Sequence, residues 1–201
     1  MDRPVIFLEE GMDNMGRLFD AIVAARLHYG IWYVYKNEVD RPKYVDVMNG
    51  YYWFFAPSIS AHFVAMLMAL STIYDDGPVN VSISKLLQAM KGTGKVDGIR
   101  LKEIEERLKK TDSIVKKIMI LRNNVFAHLS VKIDPFEAFK KADITMNNFR
   151  DLIYETAAIL NQMGQASGYG TRDLVESSEL DTRDMLGVLE KIRVEAQAAS
   201  S

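Results

Sequence analysis

An arginine and a histidine stand six positions apart in the stretch Leu121 to His128, and two asparagines directly follow the arginine. The guanidinium of Arg122 is always charged and can donate to two oxygens of one phosphate. An imidazole, such as that of His128, has an ordinary pKa of about 6.5, so it can accept and return a proton around neutral pH. Together with the amide of Asn123, these two side chains are candidates for chemistry on a phosphodiester.

The helical register brings these side chains to neighbouring faces. At about 100° per residue, six steps place Arg122 and His128 about 120° apart on an ideal helix, a gap that a long arginine side chain can close. A structural alternative stays open, because the same polar residues could cap the end of a helix and anchor a loop. Spacing alone does not separate these two interpretations.

The local charge around the motif favours contact with a polyanion. Residues 99–132 include nine basic and four acidic side chains, whereas the whole chain, with 25 Lys+Arg and 27 Asp+Glu, has a net charge of −2. A basic stretch of this kind can guide RNA, although charged helix faces also occur as plain solvated surface. The candidates for RNA contact are Lys109, Lys110, Lys116 and Lys117.

Other reactive sites have weaker support. The chain has no cysteine, which excludes disulfides, thiolate metal sites and cysteine nucleophiles. His28 and His62 are each predicted to be histidines within the helical core, bonded to a carbonyl or hydroxyl. The stretch Lys91 to Lys95 resembles a phosphate loop, but Ala89 replaces its first glycine and Val96 its Ser/Thr. We therefore predict a flexible connector there and expect neither a metal nor a cofactor.

The elements that must position these residues are helical, because apolar residues recur at helical spacing along nearly the whole chain. No alternating pattern predicts a strand. The fold class is therefore an all-α, up-and-down bundle of four to five main helices, with residues 1–170 as the bundle and residues 171–201 as a C-terminal tail. Helices are predicted at about residues 11–38, 44–74, 82–90, 99–127, 145–163 and 182–196, with Pro57 kinking the second and a short element from Pro135 to Ala142.

One predicted helix raises the question of a membrane. The stretch Val47 to Tyr74 contains 28 residues without Lys, Arg, Asp or Glu, which is long enough to span a bilayer. No Lys/Arg cluster flanks it, and it contains Asn49 and Pro57, so we predict a helix buried on most sides in a soluble bundle. Because residues 1–10 lack the layout of a secretory signal, the expected location is the cytoplasm.

The string Arg122-Asn-Asn-Val-Phe-Ala-His128 resembles the signature of the HEPN superfamily, which has an arginine, four to six residues that begin with a polar one, and a histidine. The string lies late in a long helix of an all-α chain. Residues 63–75 and 82–87 are similar to the helix, acidic turn and short helix that precede the motif in the abortive-infection branch. The chain is therefore identified as a HEPN ribonuclease-like protein of the abortive-infection type.

The resemblance implies a metal-independent endoribonuclease of defence or toxin type. In such enzymes two protomers place their motifs across a shared cleft, and the 2′-hydroxyl of the RNA attacks the adjacent phosphate. Arg122 would match the family arginine that binds phosphate, His128 the general acid or base, and Asn123 the polar position. The implied partners are RNA and a second protomer. An antitoxin or nucleotidyltransferase partner is left open, and no membrane is expected.

Two other interpretations stay open. The family contains members without activity, so the chain could be a non-catalytic HEPN module that binds RNA, a nucleotide or a protein partner. It could also be a helical structural or regulatory subunit, in which the aromatic residues at 29–35 and 51–55 form a protein interface.

Overall fold

The computed structural model describes the backbone of residues 3–127, 139–140 and 142–199, and the side chains of residues 11, 13–123, 139–140 and 142–199. Within these ranges there is no strand, and the all-α prediction is confirmed. The described backbone forms α1 (Arg3–Lys36), α2 (Arg41–Gly50), α3 (Tyr52–Tyr74), α4 (Ile83–Thr93), α5 (Gly98–Ala127), α6 (Met146–Ser167) and α7 (Ser177–Ala198).

The predicted long helix over residues 44–74 is two helices. Helix α2 ends at Gly50, and Tyr51 leaves helical geometry with φ −114° and ψ 42°. The Tyr51 N–H still donates to the Val47 carbonyl at 3.1 Å, so the break is a single residue wide. Pro57, which was expected to kink the helix, lies inside α3, where its missing N–H removes one backbone hydrogen bond. The interruption is therefore at Tyr51, six residues before the proline.

Local capping chemistry sets the bounds of α4 and α6. The Ser82 hydroxyl accepts the Lys85 N–H at 3.3 Å at the start of α4, and Thr145 and Asn148 form a reciprocal capping box at the start of α6. Gly94 and Gly168 end the two helices with φ of 63° and 78°, a left-handed conformation that glycine adopts without strain. The predicted connector at Lys91 to Lys95 is thus mainly the last turn of α4 and its glycine cap.

The chain divides into two compact units, and the first comprises residues 1–25 and 67–174. In this unit α5 packs along α6, and α4 packs against both. The core is aliphatic and aromatic, and it positions the C-terminal end of α5. Buried members include Phe19, Leu67, Leu70, Ile73, Leu87, Ile118, Leu121, Phe149, Leu152 and Leu160.

The second unit comprises residues 26–66 and 175–201, and in it α2 packs against α7. The buried guanidinium of Arg26 pairs with Glu179 at 2.9 Å, and Arg183 pairs with the buried Asp40 at 3.0 Å. The predicted helix of the tail is longer than expected, and its Leu186 is fully buried. The apolar cluster consists of Val34, Tyr35, Val47, Met48, Phe55 and Leu186.

Aromatic residues of the second unit divide between core and surface. Tyr29, Trp32 and Tyr35 are buried, so this part of the interface that the structural or regulatory interpretation would use is core. Residues 51–54 are exposed side by side at the start of α3, and Trp53 is 88% exposed. We refer to residues 51–54 as the aromatic corner.

Helix α3 is the one described helix that is long and apolar enough to cross a membrane. The core helix of a soluble protein passes the same test of length and composition. Only 33% of the most apolar 18-residue segment of α3 is buried, so the prediction that this helix is buried on most sides is wrong. A single apolar helix is no clear signature of a membrane protein.

Candidate active site around Arg122

Arg122 lies in the last two turns of α5, on the side of the helix that faces the core. Ile118 precedes it by four residues and is buried, as is the adjacent Leu121. Because residues four apart share a helix face, Arg122 lies on the same side of α5 as the buried Ile118. Its side chain is 26% exposed, so the guanidinium lies at the boundary between core and solvent.

The partner of Arg122 is Asp75, the first residue after α3. Arg122 Nη1 donates to Asp75 Oδ2 at 2.9 Å, and the Gly77 N–H donates to Asp75 Oδ1 at 3.0 Å. Both carboxylate oxygens are therefore occupied. The Gly77 N–H, and after it the Arg122 guanidinium, lower the pKa of Asp75 below its ordinary value, because both stabilise the charged form.

Asn123 contacts the same guanidinium from the next position in the chain. Arg122 Nε donates to Asn123 Oδ1 at 3.1 Å. A guanidinium has five N–H donors, and Nη2 has no hydrogen-bond partner among the described residues. Arg107 is different, because its Nε and Nη2 both donate to Glu155 at 2.8 Å. Arg122 thus makes single hydrogen bonds to two different residues, whereas Arg107 makes a bidentate pair of hydrogen bonds to one carboxylate.

The turn that contains Asp75 is held by its own hydrogen bonds. Asp76 accepts from the hydroxyls of Ser82 and Ser84. Lys85 Nζ donates to the carbonyls of Gly77 at 2.5 Å and Asn80 at 2.9 Å. Ser82 also caps α4, so the turn and the start of that helix form one connected structure.

Tyr74 fixes the end of α3 directly before this turn. The Thr156 hydroxyl donates to the Leu152 carbonyl at 2.6 Å, so the Tyr74 hydroxyl donates to Thr156 Oγ1 at 2.5 Å. Burial raises the pKa of Tyr74 to about 12, since the phenolate would lose its hydration. Tyr74 is therefore a neutral structural donor around physiological pH.

The four predicted RNA-contact lysines lie on the outer side of α5. Lys109, Lys110 and Lys116 are exposed, whereas Lys117 Nζ donates to the Asp143 carboxylate at 2.8 Å and to its carbonyl at 2.5 Å. On an ideal helix these lysines project about 120–140° away from Arg122. The structure therefore brings Asn123 to Arg122 and leaves the lysines on another face.

His128 follows the last described residue of α5 and lies outside the described residues, as does most of the predicted element at 135–142.

For the other two histidines the predicted partner is wrong. His28 and His62 are half-buried, and their Nδ1 atoms lie 2.9 Å apart, so among the described residues each ring bonds the other and no carbonyl or hydroxyl. Burial lowers the pKa of both, and the charge of His28 lowers that of His62 further. No cluster of three or more His, Cys, Asp or Glu that could bind a metal occurs in the part of the chain that the structure describes.

A comparison with protein-family models shows which family the chain belongs to. The model of the AbiU2 family, a HEPN domain family, matches residues 12–186. This protein is a member of the AbiU2 HEPN family. The AbiU2 match includes Asp75 and the whole segment from Arg122 to His128, and it confirms the resemblance to an abortive-infection type HEPN domain. No curated protein and no solved structure matches the chain.

The residue that sequence reasoning missed in this AbiU2 domain is Asp75. The sequence presents it as part of an acidic turn that ends a helix, and it has that function too. Its pairing with Arg122 crosses 47 positions of the chain. The one available signal was the place of the acidic turn before the motif in the HEPN resemblance, and that signal does not specify a contact.

Proposed function

We propose that this AbiU2-family protein is a metal-independent endoribonuclease of defence or toxin type that cuts RNA in the cytoplasm. The observation that carries the proposal is that Arg122, at the family's arginine position in a HEPN domain, is held in place but still has hydrogen-bond donors to offer. Its guanidinium is oriented by two contacts, reaches the protein surface and keeps Nη2 without a partner among the described residues. A charged, pre-oriented donor of this kind fits a phosphodiester.

The proposed reaction is attack of the RNA 2′-hydroxyl on the adjacent phosphorus. The bond from phosphorus to the 5′-oxygen breaks, and a 2′,3′-cyclic phosphate and a 5′-hydroxyl form. Arg122 stabilises the additional negative charge of the transition state, an effect of about 3–4 kcal/mol in comparable sites. His128 moves the proton as general base or acid.

Asn123 and the lysines have supporting roles in this proposal. Asn123 orients Arg122 through the 3.1 Å hydrogen bond to Nε. Lys109 and Lys116 are seven residues apart, so they share a solvent-facing stripe of α5 along which an RNA backbone can bind. Lys110 forms a neighbouring stripe with Lys117, whose ammonium would exchange Asp143 for phosphate. A second protomer adds another Arg122 and His128 pair across a shared cleft.

The test is cleavage of defined RNAs by the purified chain, with and without a chelator. Wild-type protein is expected to cut RNA equally well in EDTA and to leave 2′,3′-cyclic phosphate ends. Arg122→Ala and His128→Ala are each expected to reduce the cleavage rate at least 100-fold without loss of helical circular dichroism. Arg17→Ala is the matched control, because Arg17 is an exposed arginine of the same unit whose one ion pair among the described residues is with Asp13, at 3.0 Å. Undiminished cleavage by the His128→Ala protein would contradict the proposal.

A second candidate function is a non-catalytic HEPN module that binds RNA, a nucleotide or a protein partner. The ion pair of Arg122 with Asp75 favours it, because this pair already neutralises the charge that a catalytic arginine would offer. The same incubation separates the two functions. RNA that binds the wild-type protein and acquires no new ends supports the module and overturns the nuclease.

A further inference from the structure

We infer that Asp75 is a positioning residue for the reaction proposed above, and that it acts by fixing the plane of the Arg122 guanidinium. The inference rests on the proposed function. Asp75 lies 2.9 Å from Nη1 on one side of the guanidinium, and Asn123 lies 3.1 Å from Nε on the other. Two contacts at opposite edges restrict both the tilt and the rotation of a planar group.

The anchor of Asp75 is rigid. Its second oxygen accepts the Gly77 N–H at 3.0 Å, and the preceding Tyr74 is bonded to Thr156 of α6 at 2.5 Å. Helix α6 in turn packs along α5, which carries Arg122. The carboxylate is therefore tied to the same packed pair of helices as the arginine that it contacts, so its position relative to α5 is set by the core.

The geometry favours orientation over inhibition. A carboxylate that competes with phosphate would be expected to close the guanidinium with a bidentate contact, as Glu155 does with Nε and Nη2 of Arg107. Asp75 contributes one oxygen to one nitrogen. Nη2 lies between the two occupied positions, and its donors have no partner among the described residues. The ion pair of Asp75 with Arg122 thus fixes the plane of the guanidinium and leaves the N–H donors of Nη2 for a phosphate oxygen.

Asp75→Asn is a sharp test because of the number of acceptors. Three donors converge on Asp75, the Gly77 N–H, the Arg122 Nη1–H and the side-chain amide of Asn80, and an asparagine has one acceptor oxygen for all of them. The variant keeps the shape of the side chain and places an amide N–H₂ where a carboxylate oxygen had accepted. Arg122 should then lose its fixed orientation while the turn keeps its volume.

The experiment compares single-turnover RNA cleavage and RNA affinity for the wild-type protein, Asp75→Asn and Asp76→Asn. Asp75→Asn is expected to cleave at least tenfold more slowly, with a Kd for RNA within about threefold of wild type, since misplacement by about 1 Å costs up to 100-fold in rate. Asp76 is the matched control, because it bonds Ser82 and Ser84 in the same turn and does not contact Arg122. Asp76→Asn is expected to lower the Tm and to keep the rate within about threefold.

A second background separates positioning from a merely structural role. Arg122→Lys keeps a cation and removes the planar fork, so adding Asp75→Asn to it is expected to slow cleavage less than twofold. An equal tenfold loss in both backgrounds would overturn the inference, as would an Asp75→Asn protein that cleaves as fast as wild type or faster. Those results leave the nuclease assignment intact. RNA that stays whole with wild-type protein overturns the assignment and the role of Asp75 together.

Discussion

The ion pair of Arg122 with Asp75 gives the domain a defined response to acid. The lowered pKa of Asp75 means that the folded protein holds this carboxylate in its charged form more strongly than the unfolded chain does. Its contribution to stability is therefore fully present above the unfolded pKa of about 4 and is lost as the pH falls through the lowered folded value. The contribution is modest, since the side chains of Arg122 and Asp75 are 26% and 33% exposed.

We expect the difference in Tm between wild type and Asp75→Asn to be constant from pH 7 to about pH 5 and to shrink below about pH 4, where the unfolded chain takes up the proton that Asp75 of the folded protein still resists. A series of thermal melts monitored by circular dichroism measures this difference. Asp151→Asn is a control, because its carboxylate is exposed and contacts only the neighbouring Arg150 among the described residues. A difference that widened in acid would contradict the pairing.

The histidine pair responds to pH in a higher range. Because the pKa of both His28 and His62 is lowered in the folded state, the unfolded chain binds more protons as the pH falls below about 6.5. The stabilising effect of the neutral pair is present above that pH and is lost through the lowered folded values. We expect the Tm of wild type to fall between pH 7 and pH 5 more steeply than that of His28→Gln, a neutral variant.

The same melts provide the control for the histidine prediction. Above pH 7 the two proteins should differ by a constant amount, which reflects the lost 2.9 Å contact between the rings. Identical slopes below pH 7 would show that the pair does not titrate as described.

At the scale of elements, short-range signals predicted most of the helices. Ser82 and Thr145 cap α4 and α6 where a hydroxyl residue precedes the apolar spacing, and both starts were predicted within a residue. The division at Tyr51 was missed, since an uncharged apolar stretch has no polar signal that separates a kink from a break. Contacts across many positions, such as Asp75 with Arg122 or His28 with His62, depend on packing, and spacing carries no information about them.

Two glycines at the end of α4 should respond to alanine in opposite directions. Gly92 is helical and has open space where a Cβ would stand, so Gly92→Ala is expected to stabilise the protein by about 0.5–1 kcal/mol. Gly94 has a φ of 63°, so Gly94→Ala is expected to destabilise it by about 1 kcal/mol. Urea denaturation measures the free energy of unfolding for each variant. A stabilising Gly94→Ala would contradict the left-handed cap.

At the scale of the whole molecule, the proposed reaction needs a second protomer, because one Arg122 and one His128 are few groups for cleavage of a phosphodiester. We expect wild-type protein to have about twice the chain mass of 22.8 kDa in solution at the concentrations at which it cleaves RNA. Light scattering coupled to size exclusion measures this mass. A monomer that cleaves RNA would contradict the shared cleft and leave the roles of Arg122 and His128 to be tested separately.

The predicted boundary near residue 170 remains a prediction, while the compact units of the structure divide the chain at residues 25, 66 and 174.

The contrast between the two tryptophans provides built-in optical probes. Trp53, in the aromatic corner, is 88% exposed, whereas Trp32 is 5% exposed in the core of the same unit. An indole in water fluoresces at longer wavelength and can be quenched by iodide. An indole in an apolar core fluoresces at shorter wavelength and is protected from iodide. A Trp53→Phe protein would therefore fluoresce from Trp32 alone and report the unfolding of its surroundings, while a Trp32→Phe protein would report any molecule that covers the corner.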